Sequence, residues 1–273
     1  MRVAEAVAVV GLRGVGLVVA SCLAGPQRRV LALEVDRARY LALREGRLPF
    51  FEPGLEARFR EAMGCGWLEV TSDPASLKAN LVCVGAHPDE VPELADVLAF
   101  AEPELVVALQ APVPLATADR LRRQILELRG PEFSFGVVSN PLLLRRGFAV
   151  PDFLRPRAVV LGGEPRWAVD RVADLYRGSS ALVLRTDLRT AESCGWTGVA
   201  LPSAVADLVE RVRRHCGEDV DFDVVLRASL GGLADLARTR HLQGPAWGFP
   251  AAAPEPDRSC SGQTPASVGL AAP

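Results

Sequence analysis

Short apolar runs alternate with stretches of helical periodicity along the first two-thirds of the chain. Ala6–Val10 is a β-branched run that leads into a glycine cluster, and a helical stretch follows it to Ala24. Val30–Leu33 reads as a second strand and Arg37–Arg44 as the helix after it. Leu68–Val70, Leu81–Val84, Leu105–Leu109 and Gly136–Val138 read as further strands, the last two separated by a helix across Ala118–Leu128. Apolar strands bounded by helices at this spacing predict a parallel sheet covered on both faces, with right-handed connections. Ala158–Leu161 and Ala181–Leu184 extend the series around a helix at Trp167–Tyr176.

From Leu188 the pattern turns helical, most clearly over Val205–Arg214, with Gly217 as the expected stop. Pro202 is expected to kink or break this helix, because it lacks the N–H and crowds the preceding turn. Phe222–Leu236 suggests a second helix weakened by Gly231 and Gly232. From Pro250 the chain is rich in Ala, Pro and Ser, a composition with little to bury, and is expected to be disordered. The expected division is a sheet domain over residues 1–186, a central helical segment over 187–249 and a tail over 250–273.

Composition narrows the function classes. Of 273 residues 49% are hydrophobic and the formal net charge is −2, which allows a sizeable core and argues against a nucleic-acid binder. Basic residues are almost all arginine, and Lys78 is the only lysine, a hint of a GC-rich bacterial gene. The six cysteines form no CxxC pair, which fits reduced thiols in a cytoplasmic protein. The chain enters an apolar strand with no basic leader, so a signal peptide is not expected. The Val15–Leu23 run is too short to cross a membrane. No His/Cys/Asp cluster has metal-ligand spacing, so no metal is expected.

The cluster Gly11-Leu12-Arg13-Gly14-Val15-Gly16 follows a strand and opens a helix, the context of a dinucleotide fingerprint in a Rossmann-like, doubly wound α/β sheet. Gly11 permits the tight turn and Gly16 permits close helix–sheet packing. Gly14 lies where the helix offers free N–H groups to a pyrophosphate. Glu34 ends the second strand, about 20 residues on, where an acid hydrogen-bonds a ribose hydroxyl and would repel a 2′-phosphate, favouring NAD over NADP. Arg13 stands at the middle glycine position. Its side chain could block the pyrophosphate, or swing out and pair with a phosphate. A sheet of this shape that holds no cofactor is the competing account.

Several segments match a known family. Glu34-Val35-Asp36 with Arg39, Glu52-Pro53-Gly54-Leu55, and Gly66-Trp67-Leu68 with Thr71-Ser72-Asp73 resemble elements of the UDP-glucose/GDP-mannose dehydrogenase family. So do Ser139-Asn140-Pro141 with Leu144-Arg145 and Gly147, and Asp152-Phe153-Leu154-Arg155-Pro156 with Leu161-Gly162-Gly163. Leu184-Arg185-Thr186-Asp187 and Thr190-Ala191-Glu192 resemble the start of its central helix. The resemblance is strong from Val3 to Glu192 and weaker to about Gly248. It implies Gly11, Arg13, Gly14, Gly16, Glu34 and Arg39 as cofactor-binding positions, NAD as cofactor, a nucleotide sugar as ligand and a helical dimerisation element.

Such enzymes oxidise a sugar C6 alcohol to an acid, which calls for acid/base groups, alkoxide stabilisation and a thiol. At the matching places the acids have become Leu142 and Arg146, and the central-helix lysine has become Gly195. The helix asparagine is absent too, since the only asparagines are Asn80 and Asn140. Ala86 and Pro112 replace two cofactor-contacting threonines. The cysteine loop is matched only by Gly244–Phe249, with Ala251 at the thiol's place and Cys260 beyond it in the tail. Loss of one such part commonly costs about 10²–10⁴ in rate. His87, after the fourth strand, could act as a base, but a loop histidine before Pro88 needs no chemical duty. Adjacent His215 and Cys216 do not face each other on a helix, and His215 fits a dipole partner.

The resulting expectation is a catalytically degenerate nucleotide-sugar dehydrogenase homologue that binds NAD. It would act as a binding subunit, as a homodimer or as a heterodimer with an active relative. Leu201, Val205, Leu208, Val209 and Val212 fit the buried face such a helix needs, though burial within one chain would give the same pattern. Two rival expectations are an active oxidoreductase with a rebuilt site, using His87 or Asp152 on a smaller substrate, and a truncated or frame-shifted gene product with no function.

Overall fold

The computed structural model describes residues 5–86, 93–217, 219–222, 224, 225 and 228. His87, Gly231, Gly232, the Gly244–Phe249 segment, Ala251, Cys260 and the whole 250–273 tail lie outside the described residues.

Eight strands form one sheet: β1 (Glu5–Val10), β2 (Arg28–Leu33), β3 (Leu68–Thr71), β4 (Leu81–Val84), β5 (Leu105–Leu109), β6 (Phe135–Ser139), β7 (Ala158–Glu164) and β8 (Leu182–Thr186). Their order is β3-β2-β1-β4-β5-β6-β7-β8, so the chain winds outward from β1 in both directions. The first six strands are mutually parallel. The sheet is not parallel throughout, as the alternation suggested: β7 runs antiparallel to β6, and β8 runs parallel to β7. The reversal follows from the β6–β7 connection, which carries only a short helix and returns the chain from the carboxyl edge where β6 ends.

The helices are α1 (Val15–Leu23), α2 (Arg37–Arg44), α3 (Leu55–Gly64), α4 (Leu94–Phe100), α5 (Thr117–Arg129), α6 (Ala149–Leu154), α7 (Arg166–Ala173) and α8 (Leu188–Cys216). They cover both faces. In β4 the side chains of Leu81 and Cys83 enter the core under α1, α3 and α6, while Val82 and Val84 enter the core under α4 and α5. That two-sided burial is why the strand is apolar at every position. Helix α1 is buried at every residue except Cys22, which accounts for its all-round apolar character.

Helix α8 runs for 29 residues through Pro202, so the proline does not break it. Proline removes a single donor, leaving only the Gly198 carbonyl without its intrahelical partner, while the rest of the ladder continues. Gly217 ends the helix at φ 85°, as expected of a glycine stop. No described helix is long and apolar enough to cross a membrane.

Candidate functional site at the carboxyl edge of the sheet

The two halves of the sheet diverge between β1 and β4, and the glycine turn lies at the carboxyl end of that divide, where doubly wound folds bind ligands. Gly11 adopts φ 76°, a left-handed conformation that favours glycine, and turns the chain out of β1. Gly16 packs so tightly that a Cβ there would meet the Gly11 carbonyl oxygen at 2.4 Å. A Cβ on Gly85, just after β4, would meet the Gly16 backbone at 2.2 Å. Three glycines thus let α1 start directly above the sheet. Gly14 is the N-cap of α1, and no side chain caps the first turn. That leaves the positive end of the helix open to an anion.

The structure brings Glu34 and Arg39 together beside this turn. The Arg39 Nε donates to Glu34 Oε2 at 3.0 Å, and Arg39 Nη2 donates to Oε1 at 2.9 Å. The backbone N–H of Asp36 also donates to Oε1, at 2.9 Å. Glu34 is 3% exposed. Two bonds at Oε1 and one at Oε2 leave one of roughly four acceptor positions, on Oε2, for a ribose hydroxyl. Asp36 caps α2 by accepting the Arg39 N–H at 2.9 Å. That bond is the main cause holding its carboxyl below the usual range, and Arg13 adds a smaller electrostatic contribution. Arg13 itself is exposed. The turn, the uncapped helix and the remaining Glu34 acceptor therefore fit a dinucleotide.

The other positions singled out in the sequence have structural duties. Glu52 is 2% exposed and accepts the N–H groups of Gly147 and Ala149 at 2.9 and 2.8 Å, pinning the loop before α6. Glu192 accepts the N–H groups of Ala116 and Ala118, both at 2.7 Å. Burial pushes its carboxyl upward, against those two bonds. Asp152 is held by Arg145 through three bonds, from the backbone N–H, Nε and Nη2, at 3.0, 3.0 and 2.7 Å. Asn140 lies fully buried in a network the sequence reading missed. Its Oδ1 accepts from the Tyr176 hydroxyl at 2.5 Å and from Gln110 Nε2 at 3.2 Å, while its Nδ2 donates to the Val160 carbonyl at 3.1 Å. Only the apolar runs around these three residues could have hinted that their side chains must find each other.

Around the central helix, side chains are replaced by close contact. A Cβ on Gly195 would meet the Pro141 Cβ at 2.7 Å, and one on Gly198 would meet the Leu143 Cδ2 at 2.4 Å. Leu142 is 9% exposed and belongs to the core. Burial raises the thiols of Cys22 and Cys83 to about 12, so neither is a thiolate at neutral pH. Among the described residues no group of three or more His, Cys, Asp or Glu could hold a metal ion. An open groove of about 790 Å³, lined in part by Arg122, Phe133, Phe135, Trp167 and Arg185, lies at the opposite edge and includes none of the fingerprint residues.

Comparison with known proteins agrees with this geometry. A UDP-glucose 6-dehydrogenase of Pseudomonas aeruginosa is 35% identical over 184 residues, covering 62% of this chain and 41% of that protein. A UDP-glucose 6-dehydrogenase of Rhizobium meliloti is 31% identical over 252 residues, covering 82% and 57%. The chain spans about half the length of the curated relatives it matches. Among solved structures, a UDP-glucose dehydrogenase from Pyrobaculum islandicum superposes with a TM-score of 0.72 at 25% identity, covering 84% of this chain and 57% of that one. The fold is shared with a GDP-mannose dehydrogenase from Pseudomonas aeruginosa, at a TM-score of 0.71, 22% identity and coverage of 81% and 56%. Residues 5–180 match the family model described as "UDP-glucose/GDP-mannose dehydrogenase family, NAD binding domain". The chain therefore belongs to the UDP-glucose/GDP-mannose dehydrogenase family, and residues 5–180, which carry β1 to β7, match that family's NAD-binding domain.

Proposed function

We propose that this chain binds NAD at the glycine turn, through Gly11, Gly14, Gly16 and Glu34 with Arg39 holding the acid in place, and does not turn over a nucleotide sugar. Bound NAD would supply a hydride acceptor. The chain's own part is to bind the pyrophosphate on the α1 N-terminus and to orient the adenosine ribose through the Glu34 oxygen that remains unpaired. The observation that carries the second half of the proposal is the contact of Gly195 with Pro141. A charged side chain at 195 has no room, because the helix backbone lies against the loop where it would have to reach. Beside it, the place of an acid is taken by the core residue Leu142. The Asp152 carboxylate, the other candidate base, is engaged by Arg145. The role that remains is binding, either of a nucleotide sugar or of a partner subunit along α8.

Calorimetric titration tests the binding half. Saturable NAD binding, lost in Glu34→Ala, is expected, and no binding at millimolar NAD would sink it. Absorbance at 340 nm with UDP-glucose or GDP-mannose tests the other half. No NADH is expected from the chain alone, and measurable turnover would refute degeneracy.

A further inference from the structure

The acid at the end of β2 is the group expected to reject a 2′-phosphorylated cofactor, yet its surroundings blunt that rejection. Glu34 is not a free carboxylate. Arg39 grips both of its oxygens, at 2.9 and 3.0 Å, and the Asp36 N–H donates to one of them. A bidentate pair of this kind presents little net charge to an approaching phosphate.

Arg13 supplies a cation on the same side. Strands β1 and β2 are parallel, with Val9 opposite Ala32, so the turn after Val10 and the loop after Leu33 emerge side by side at one edge. Arg13 is exposed in that turn and makes no hydrogen bond or ion pair among the described residues. Its charge is felt at Asp36, two residues past Glu34. Arg37 is exposed at the first position of α2, on the same loop. With Arg39 these cations stand against three carboxylates, Glu34, Asp36 and Glu93, the last felt at Arg39, so the edge is balanced in charge and Arg13 is a cation there without an ion-pair partner among the described residues.

In doubly wound folds an acid at this place takes the ribose hydroxyls of NAD, whereas a nearby arginine accommodates the 2′-phosphate of NADP. This chain holds both. We propose that the adenosine end of the site accepts a 2′-phosphate with Arg13 as its cationic partner, so that the chain binds NADP as well as NAD. The inference rests on the cofactor-binding reading above. It gives the arginine at the middle glycine position a purpose on the ribose side.

The test is calorimetric titration of the full chain with NAD and NADP, and of Arg13→Gly and Arg13→Gln, with circular dichroism to confirm that both variants are folded. NADP is expected to bind within tenfold of NAD in the unaltered chain. Both variants should weaken NADP at least fivefold relative to NAD, and the NADP affinity should fall more steeply with salt. NADP binding more than tenfold weaker than NAD overturns the proposal while the NAD reading stands. A ratio that shifts less than fivefold in the variants removes Arg13 as the phosphate partner and overturns it too. Failure of both cofactors to bind at millimolar concentration removes the NAD reading itself, and this inference with it.

Discussion

Glu192 shows how a single buried carboxylate can hold two distant segments in register. Its oxygens accept the Ala116 and Ala118 N–H groups, across 74 residues or more of sequence. Ala116 sits at φ 66°, a left-handed conformation that disfavours any side chain, so the segment needs such an anchor. Glu192→Ala leaves two N–H groups without partners, each at a cost of about 1–3 kcal/mol. A loss of about 3 kcal/mol in urea unfolding is expected, and a loss below about 1 kcal/mol would show that water replaces the carboxylate. The motif around Glu192 was legible in the sequence, but its duty was not, because the two N–H groups lie on another element. The same holds for Glu52, whose partners are Gly147 and Ala149.

At the scale of elements, local pattern was a good guide where burial is continuous. Strands β4 and β5 and helix α2 lie where the apolar runs place them. Helices α3, α4 and α6 were not read from the sequence. Helices α4 and α6 are short, at 7 and 6 residues, and α6 has a proline inside it, so the wider core and not their own periodicity decides them. Helix α8 starts at a strong local signal. Asp187 accepts the Thr190 N–H at 2.9 Å and its hydroxyl at 2.6 Å, and these bonds hold its carboxyl below the usual range. A depressed folded-state pKa contributes stability that is present above the unfolded value and is lost as pH falls through the folded one. Asp187→Asn keeps a cap but removes the titration. The variant's helical signal at 222 nm should therefore decline less steeply than the unaltered chain's as pH falls through and below the usual carboxylate range. Parallel declines would show that this cap does not contribute to the acid response.

At the scale of the molecule, the unfinished surface lies along α8. Only Ala191, Glu192 and Gly195 of this helix are buried. Beyond them Leu201, Leu208 and Val212 are 58%, 51% and 45% exposed, so packing against the described chain does not account for the apolar stripe. Together with Val205 these residues recur at alternating steps of four and three, the spacing of a helix–helix seam. The proposed dimer would bury that stripe. Light scattering after gel filtration is expected to give twice the chain mass, and Leu208→Glu should return the protein to a single chain. A monomer before mutation would remove the homodimer, and mixing with an intact relative would then test the heterodimer.

The chain alone determined the class of fold, the strand–glycine–helix turn and the acid about 20 residues after it, because each depends on periodicity and on residue types at short range. Tertiary structure decided the rest. It reversed β7 and carried α8 through Pro202. It also bound Glu34 to Arg39 and pressed Gly195 against Pro141. Each of these depends on what lies across a gap in space between residues that local pattern treats independently, and steric contact and charge pairing act only once the chain has folded.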